Sequence, residues 1–107
     1  MMIFRIWNGL TTHDNATKYE QLFYKEVLPA IAEKEVDGYK SIQLLRKPHE
    51  KEVEFITIMY FDSWDAVKEF AGEDYEHSYV PAKAKKVLKR YDDHSQHYEV
   101  REQKDYK

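Results

Sequence analysis

Among the side chains able to handle a substrate's protons or oxygen atoms, position singles out His77, His97 and Asn8. An imidazole titrates near neutrality, and His77 lies in the irregular stretch between Gly72 and Pro81, where it can reach a cleft as a ligand or general base. The competing reading, and the commoner one for a lone histidine, is a solvent-exposed residue beside Glu76. Asn8 shares strand parity with Phe4 and Ile6. If those two pack beneath the helices, its amide faces the same cleft and can hydrogen-bond a substrate oxygen or dioxygen. The competing reading is a turn residue ahead of Gly9. His97 has opposite parity to Tyr98 and belongs with Arg5 and Trp7 on the other face, where a buried histidine bonded to Glu99, Glu54 or a partner subunit is the alternative to a substrate contact. Trp64, Phe70, Tyr75 and Tyr79 are candidates to line a pocket for a flat apolar ligand, or to fill an ordinary core. Asp92, Asp93, His94 and His97 have the ligand types for a divalent metal. On a strand, however, Asp92 and His94 face one side while Asp93 and His97 face the other, so no metal site is expected.

The elements that must position these residues are legible from periodicity. Met2–Trp7 reads as a strand ended by Asn8-Gly9. Thr11 and Thr12 offer hydroxyl caps with Asp14 in the first turn, so a helix starts there. Ala16, Tyr19, Phe23, Val27, Ala30 and Ile31 form its apolar face, and Pro29 predicts a kink or break near Val27. Tyr39–Lys47 and Val53–Phe61 read as a hairpin joined by Pro48-His49-Glu50-Lys51. In its second strand Ile56, Ile58 and Tyr60 take one face and Phe55, Met59 and Phe61 the other, so both faces need a cover. Ser63 caps a short helix through Phe70, closed by Ala71-Gly72. Pro81 suits the first turn of a helix over Ala82–Lys89, and Tyr91–Arg101 reads as a last strand. The order is βαββαβ: a ferredoxin-like split βαβ α+β domain, with a four-stranded antiparallel sheet and helices on one face. The bare face calls for a second copy of the chain.

Composition bounds the rest. With 107 residues there is room for one domain, expected over residues 1–101 with a frayed charged tail at 102–107. A net charge of −3 leaves no positive excess for a phosphate backbone, so no nucleic-acid binding is expected. Absence of cysteine removes disulfides, thiolate nucleophiles and cysteine-ligated metals. Only Gly9, Gly38 and Gly72 are present, too far apart for a phosphate-cradling loop, and no nucleophile elbow appears. Without a signal-like start or a long apolar run, the expectation is a cytoplasmic protein with no membrane contact.

Read together, several motifs resemble the antibiotic biosynthesis monooxygenase-like family. They are Trp7-Asn8-Gly9, Tyr19, Gly38, Leu45-Arg46, Glu54-Phe55, Asp62-Ser63-Trp64, Phe70-Ala71-Gly72-Glu73-Asp74 and His97-Tyr98-Glu99-Val100, and the likeness runs from about Ile3 to Val100. It implies a dimeric α+β barrel, with two sheets packed face to face and helices outside. His97 would then share the barrel-facing side with Arg5 and Trp7. Some members are cofactor-independent oxygenases of polycyclic phenols. Others open haem, and those carry an Asn near the end of the first strand, a Trp in the second helix and a His soon after. Asn8 stands at the first of these positions and His77 near the last, but Phe70 replaces the Trp, a departure from the haem-opening pattern.

What the resemblance implies is therefore a homodimeric monooxygenase that acts with dioxygen on a small aromatic substrate without a bound cofactor. Asn8 and His77 would be its catalytic residues, and Trp64, Phe70, Tyr75, Tyr79 and His97 would contact substrate. The alternatives are a non-catalytic dimeric module, ligand-binding or stress-related, and a haem-degrading oxygenase.

Overall fold

An alternating run from Ile3 to Thr11 makes the central strand of the sheet. In the computed structural model, which describes residues 1–107, this strand (β1, Ile3–Thr11) pairs antiparallel with β3 (Val53–Phe61) along its whole length, from Ile3 opposite Phe61 to Thr11 opposite Val53. β3 pairs in turn with β2 (Tyr39–Pro48), the hairpin its sequence predicts. Val, Ile and aromatic side chains dominate β3, the types that pack well on a pleated surface. Gly38 enters β2 with φ +82°, and its carbonyl accepts from Asp62 N–H at 2.8 Å, which ties the start of the hairpin to its end.

The far edge of β1 corrects the expectation of one final strand. Two short strands share it: β4 (Leu88–Tyr91) pairs with Gly9–Thr11, and β5 (Gln96–Glu99) pairs with Ile3–Ile6. Between them the chain leaves the ladder because its backbone groups find partners elsewhere. Asp93 O accepts from Ser78 N–H at 2.8 Å, Ser95 N–H donates to Glu76 O at 2.6 Å, and His94 is bridged to His77. Residues 100–107 form no helix or strand.

α1 (His13–Leu22) is capped by Thr12, whose hydroxyl accepts from Asn15 N–H at 3.2 Å. Thr11 caps nothing at that end. It is buried in β1, and its hydroxyl donates to Val87 O at the end of α4 (Ala82–Val87). That helix stops short of Lys89 because Leu88 joins the sheet opposite Thr11. The break expected at Pro29 is a π-helical turn over Phe23–Val27, in which Leu28 N–H reaches back to Phe23 O, followed by α2 (Leu28–Glu33). Proline has no N–H to offer Lys25, and the widened turn takes up the misfit. α3 (Trp64–Ala71) begins at Ser63, whose hydroxyl accepts from Ala66 N–H at 3.1 Å, and ends at Gly72 with φ +87°. No helix is long and apolar enough to cross a membrane.

Two buried clusters lie between sheet and helices. One joins Ala16, Tyr19, Val53, Phe55, Ala84 and Leu88; the other joins Ile3, Met59, Phe61, Ala66 and Val67. The helices therefore pack on the face of Ile3, Arg5, Trp7 and Thr11. This reverses the expected choice of faces. Phe4, Ile6 and Asn8 lie on the uncovered side, next to Ile56, Ile58 and Tyr60, and Phe4 meets Tyr60 edge-on at 4.3 Å. Parity sorts residues into two sets. With both sets apolar, only helix packing decides which set is covered.

Candidate functional site

Where the two clusters separate, the sheet and helices border a cavity of about 280 Å³ that is open at one side. β1 supplies Arg5 and Trp7 to its floor and β3 supplies Thr57 and Met59. The wall opposite is the π-helical turn, which supplies Phe23 and Val27, and α2, which supplies Ile31. Phe70 from α3 closes one end, and residues 77–81 form the mouth. Mostly apolar walls with a few polar groups are what a flat organic ligand requires.

Arg5 is the most consequential of those polar groups. It is only 7% exposed, at an inward-facing position between Ile3 and Trp7. Its Nη1 donates to Tyr75 O at 2.5 Å and to His97 Nε2 at 3.0 Å, its Nη2 donates to His77 O at 3.5 Å, and its guanidinium lies 5.6 Å from the Phe70 ring centre. Burial pushes its pKa down to about 10, which still leaves it charged at neutral pH. His97 accepts from Arg5 at Nε2, so its ring proton sits on Nδ1 and the ring is neutral. Burial first, and the Arg5 charge second, push the His97 pKa down to about 4.

Other polar groups complete the cavity. Ser78 and Ser95, both buried, share a hydroxyl hydrogen bond of 2.7 Å in its wall. Burial pushes the Tyr19 phenol up to about 12, so Tyr19 offers a proton donor at neutral pH rather than a base. Lys34 donates to Phe70 O at 2.8 Å and lies 4.6 Å over the Phe70 ring. Glu26 reaches the rim but is paired with Lys83 at 2.8 Å.

No family model matches the sequence, and no curated protein matches it. Solved structures do. A candidate antibiotic biosynthesis monooxygenase from Bacillus cereus superposes with a TM-score of 0.68 over 98% of both chains at 18% identity. The protein Rv0793 of Mycobacterium tuberculosis gives 0.62 over 96% of this chain and 98% of its own, at 16% identity. SnoaB, a cofactor-independent oxygenase from Streptomyces nogalater, gives 0.61 over 96% and 97%, also at 16% identity. This chain has the fold of the antibiotic biosynthesis monooxygenases.

Within this fold, the predicted site residues divide into three groups. Phe70, Tyr79 and His77 reach the cavity, Tyr79 and His77 at its exposed mouth, where the His77 ring meets His94 edge-on at 5.9 Å. Trp64, Tyr75 and His97 stack together behind Arg5, with ring centres 5.2–6.0 Å apart, and do not line the cavity. Asn8 is on the opposite side of the sheet. Its amide donates to Glu54 at 2.6 Å, and its Oδ1 is buried without a partner. Asp92, Asp93 and His94 are exposed, and no three acidic or histidine side chains meet at ligand spacing. Sequence reasoning passed over Arg5, Ser78 and Ser95 as site residues. The signal for Arg5 was present: a charged residue at an inward position of an otherwise apolar strand.

Proposed function

We propose that this protein is a cofactor-independent monooxygenase of a small, electron-rich aromatic substrate, and that it works as a homodimer paired through its uncovered sheet face. The observation that carries the first part is the mostly apolar cavity between sheet and helices, open at one side, in a fold shared with a cofactor-independent oxygenase. In the proposed reaction an activated CH₂ of the substrate becomes a carbonyl. Dioxygen supplies that oxygen atom, its other atom leaves as water, and the substrate provides the electrons. Arg5 orients the substrate oxygen, Phe70 and Trp7 hold the ring, and His77 at the mouth receives the proton. The apolar set Phe4, Ile6, Ile56, Ile58 and Tyr60 supports the pairing.

One observation favours a second reading, a binding module without turnover. His97 is tied to Arg5 and Tyr19 keeps its proton, so His77 is left as the one imidazole at the cavity that can act as a base. The deciding experiment is dioxygen uptake with a panel of anthrones and hydroquinones. Consumption that falls at least tenfold in His77→Ala, with the fold intact, supports the enzyme. No uptake with any compound leaves the binding module.

A further inference from the structure

Arg5 carries a charge that the protein leaves unanswered. Its hydrogen-bond acceptors are two backbone carbonyls and a neutral imidazole, and no carboxylate lies within ion-pair distance. Its Nε donates to no group of the protein. A buried charge without a counter-ion is costly, and an apolar chain of similar volume would fill the space at lower cost. No carboxylate nearby neutralises it, although carbonyl oxygens and the Phe70 ring face it. Lys34 adds a second positive charge on the cavity wall, and Glu26, the acid at the rim, is engaged by Lys83. The cavity is thus apolar in shape and positive in charge.

We infer that the ligand of this cavity carries an ionised oxygen, a carboxylate or phenolate on a flat apolar body, and that Arg5 is the group that receives it. Nε and the weakly engaged Nη2 lie side by side on the guanidinium, the fork that donates to two oxygens of a carboxylate or with both N–H groups to one oxygen. The other side of the guanidinium is held by Tyr75 O and His97, so the donors are fixed in place before the ligand arrives. A cation held against apolar walls also lowers the pKa of a phenol or enol seated on it. This deepens the oxygenase reading, since the deprotonated form is the one that yields electrons to dioxygen, but recognition of the anion can be tested without turnover.

The test is a binding comparison at pH 7.5, followed by tryptophan fluorescence and calorimetry, with Trp7 on the cavity wall as reporter. Two matched pairs serve as probes: 2-naphthoate against 2-naphthamide, and a nitronaphthol ionised at that pH against its methyl ether. The first pair reads carboxylate recognition and the second phenolate recognition. In at least one pair the anion should bind tenfold or more tighter than its neutral partner. Arg5→Met should bring the two to parity, and Arg5→Lys should retain part of the difference. Equal affinity within both pairs for the unaltered protein overturns the inference, whether or not the variants fold, and so does absence of binding by all four at millimolar concentration. Anion preference without dioxygen uptake sinks the oxygenase reading alone. Uptake without charge preference sinks the anion site alone.

Discussion

Arg5 and His97 face each other directly across the β1–β5 ladder, and Nη1 of the arginine stands 3.0 Å from Nε2 of the histidine. Because a guanidinium only donates, the imidazole must present a lone pair. The pair therefore holds a charge and a neutral ring side by side, with the charge turned towards the cavity.

Acid should loosen the fold through that ring. Well above pH 6.5 His97 is neutral in both folded and unfolded chains and contributes no pH dependence. As pH falls from 6.5 towards 4, the unfolded chain takes up a proton that the folded chain refuses, so stability is lost across that window. The loss is about 1–2 kcal/mol, less than the full shift implies because part of the ring meets solvent. Urea unfolding at pH 7 and pH 4.5 reads it. His97→Gln, which keeps an acceptor for Arg5, should show a smaller drop; an equal drop would assign the effect to other groups.

Charge placed on the uncovered sheet face should separate subunits without unfolding them. Ile58 lies opposite Ile6 on that face, outside both buried clusters. Ile58→Lys is expected to turn a dimeric species into a monomeric one by light scattering, while circular dichroism stays unchanged. A monomer already present in the unaltered protein at micromolar concentration would refute the proposed pairing.

Gly9 is required by its neighbour rather than by its own backbone. A Cβ there would come within 2.7 Å of Trp7 Cη2, since the indole folds back over it. Gly9→Ala should cost about 1–3 kcal/mol, as overpacking does. Trp7 would shift on the cavity wall, which thermal unfolding and tryptophan emission together would show. An unchanged spectrum with unchanged stability would mean that the indole is not held there.

Ser63 should behave as a cap and nothing more. Its hydroxyl accepts from Ala66 N–H at the start of α3, which carries Phe70 to the cavity. Ser63→Ala is expected to cost about 1 kcal/mol and Ser63→Asp to restore most of it. Denaturant midpoints of the two variants make the comparison.

Local rules were enough for much of the architecture. The β3 alternation, the caps at Thr12 and Ser63, the helix end at Gly72 and the break before Pro29 all follow from short-range sterics and hydrogen bonding, which act within a few residues and are written in the order of side chains. The resemblance over Ile3–Val100 likewise led to the right fold.

What the chain order could not decide was which apolar face of the sheet the helices would cover. β1 and β3 are apolar on both sides, so parity placed Asn8 and Arg5 on opposite faces without saying which faced the cavity. Nor could it show that residues 93–95 would leave β1 to pair with residues 76–78, because that exchange depends on backbone partners far apart in sequence. Those two tertiary choices put Arg5 beneath the cavity, His97 behind it and Asn8 out of reach. They are settled by how whole surfaces pack, a property no local window of residues contains.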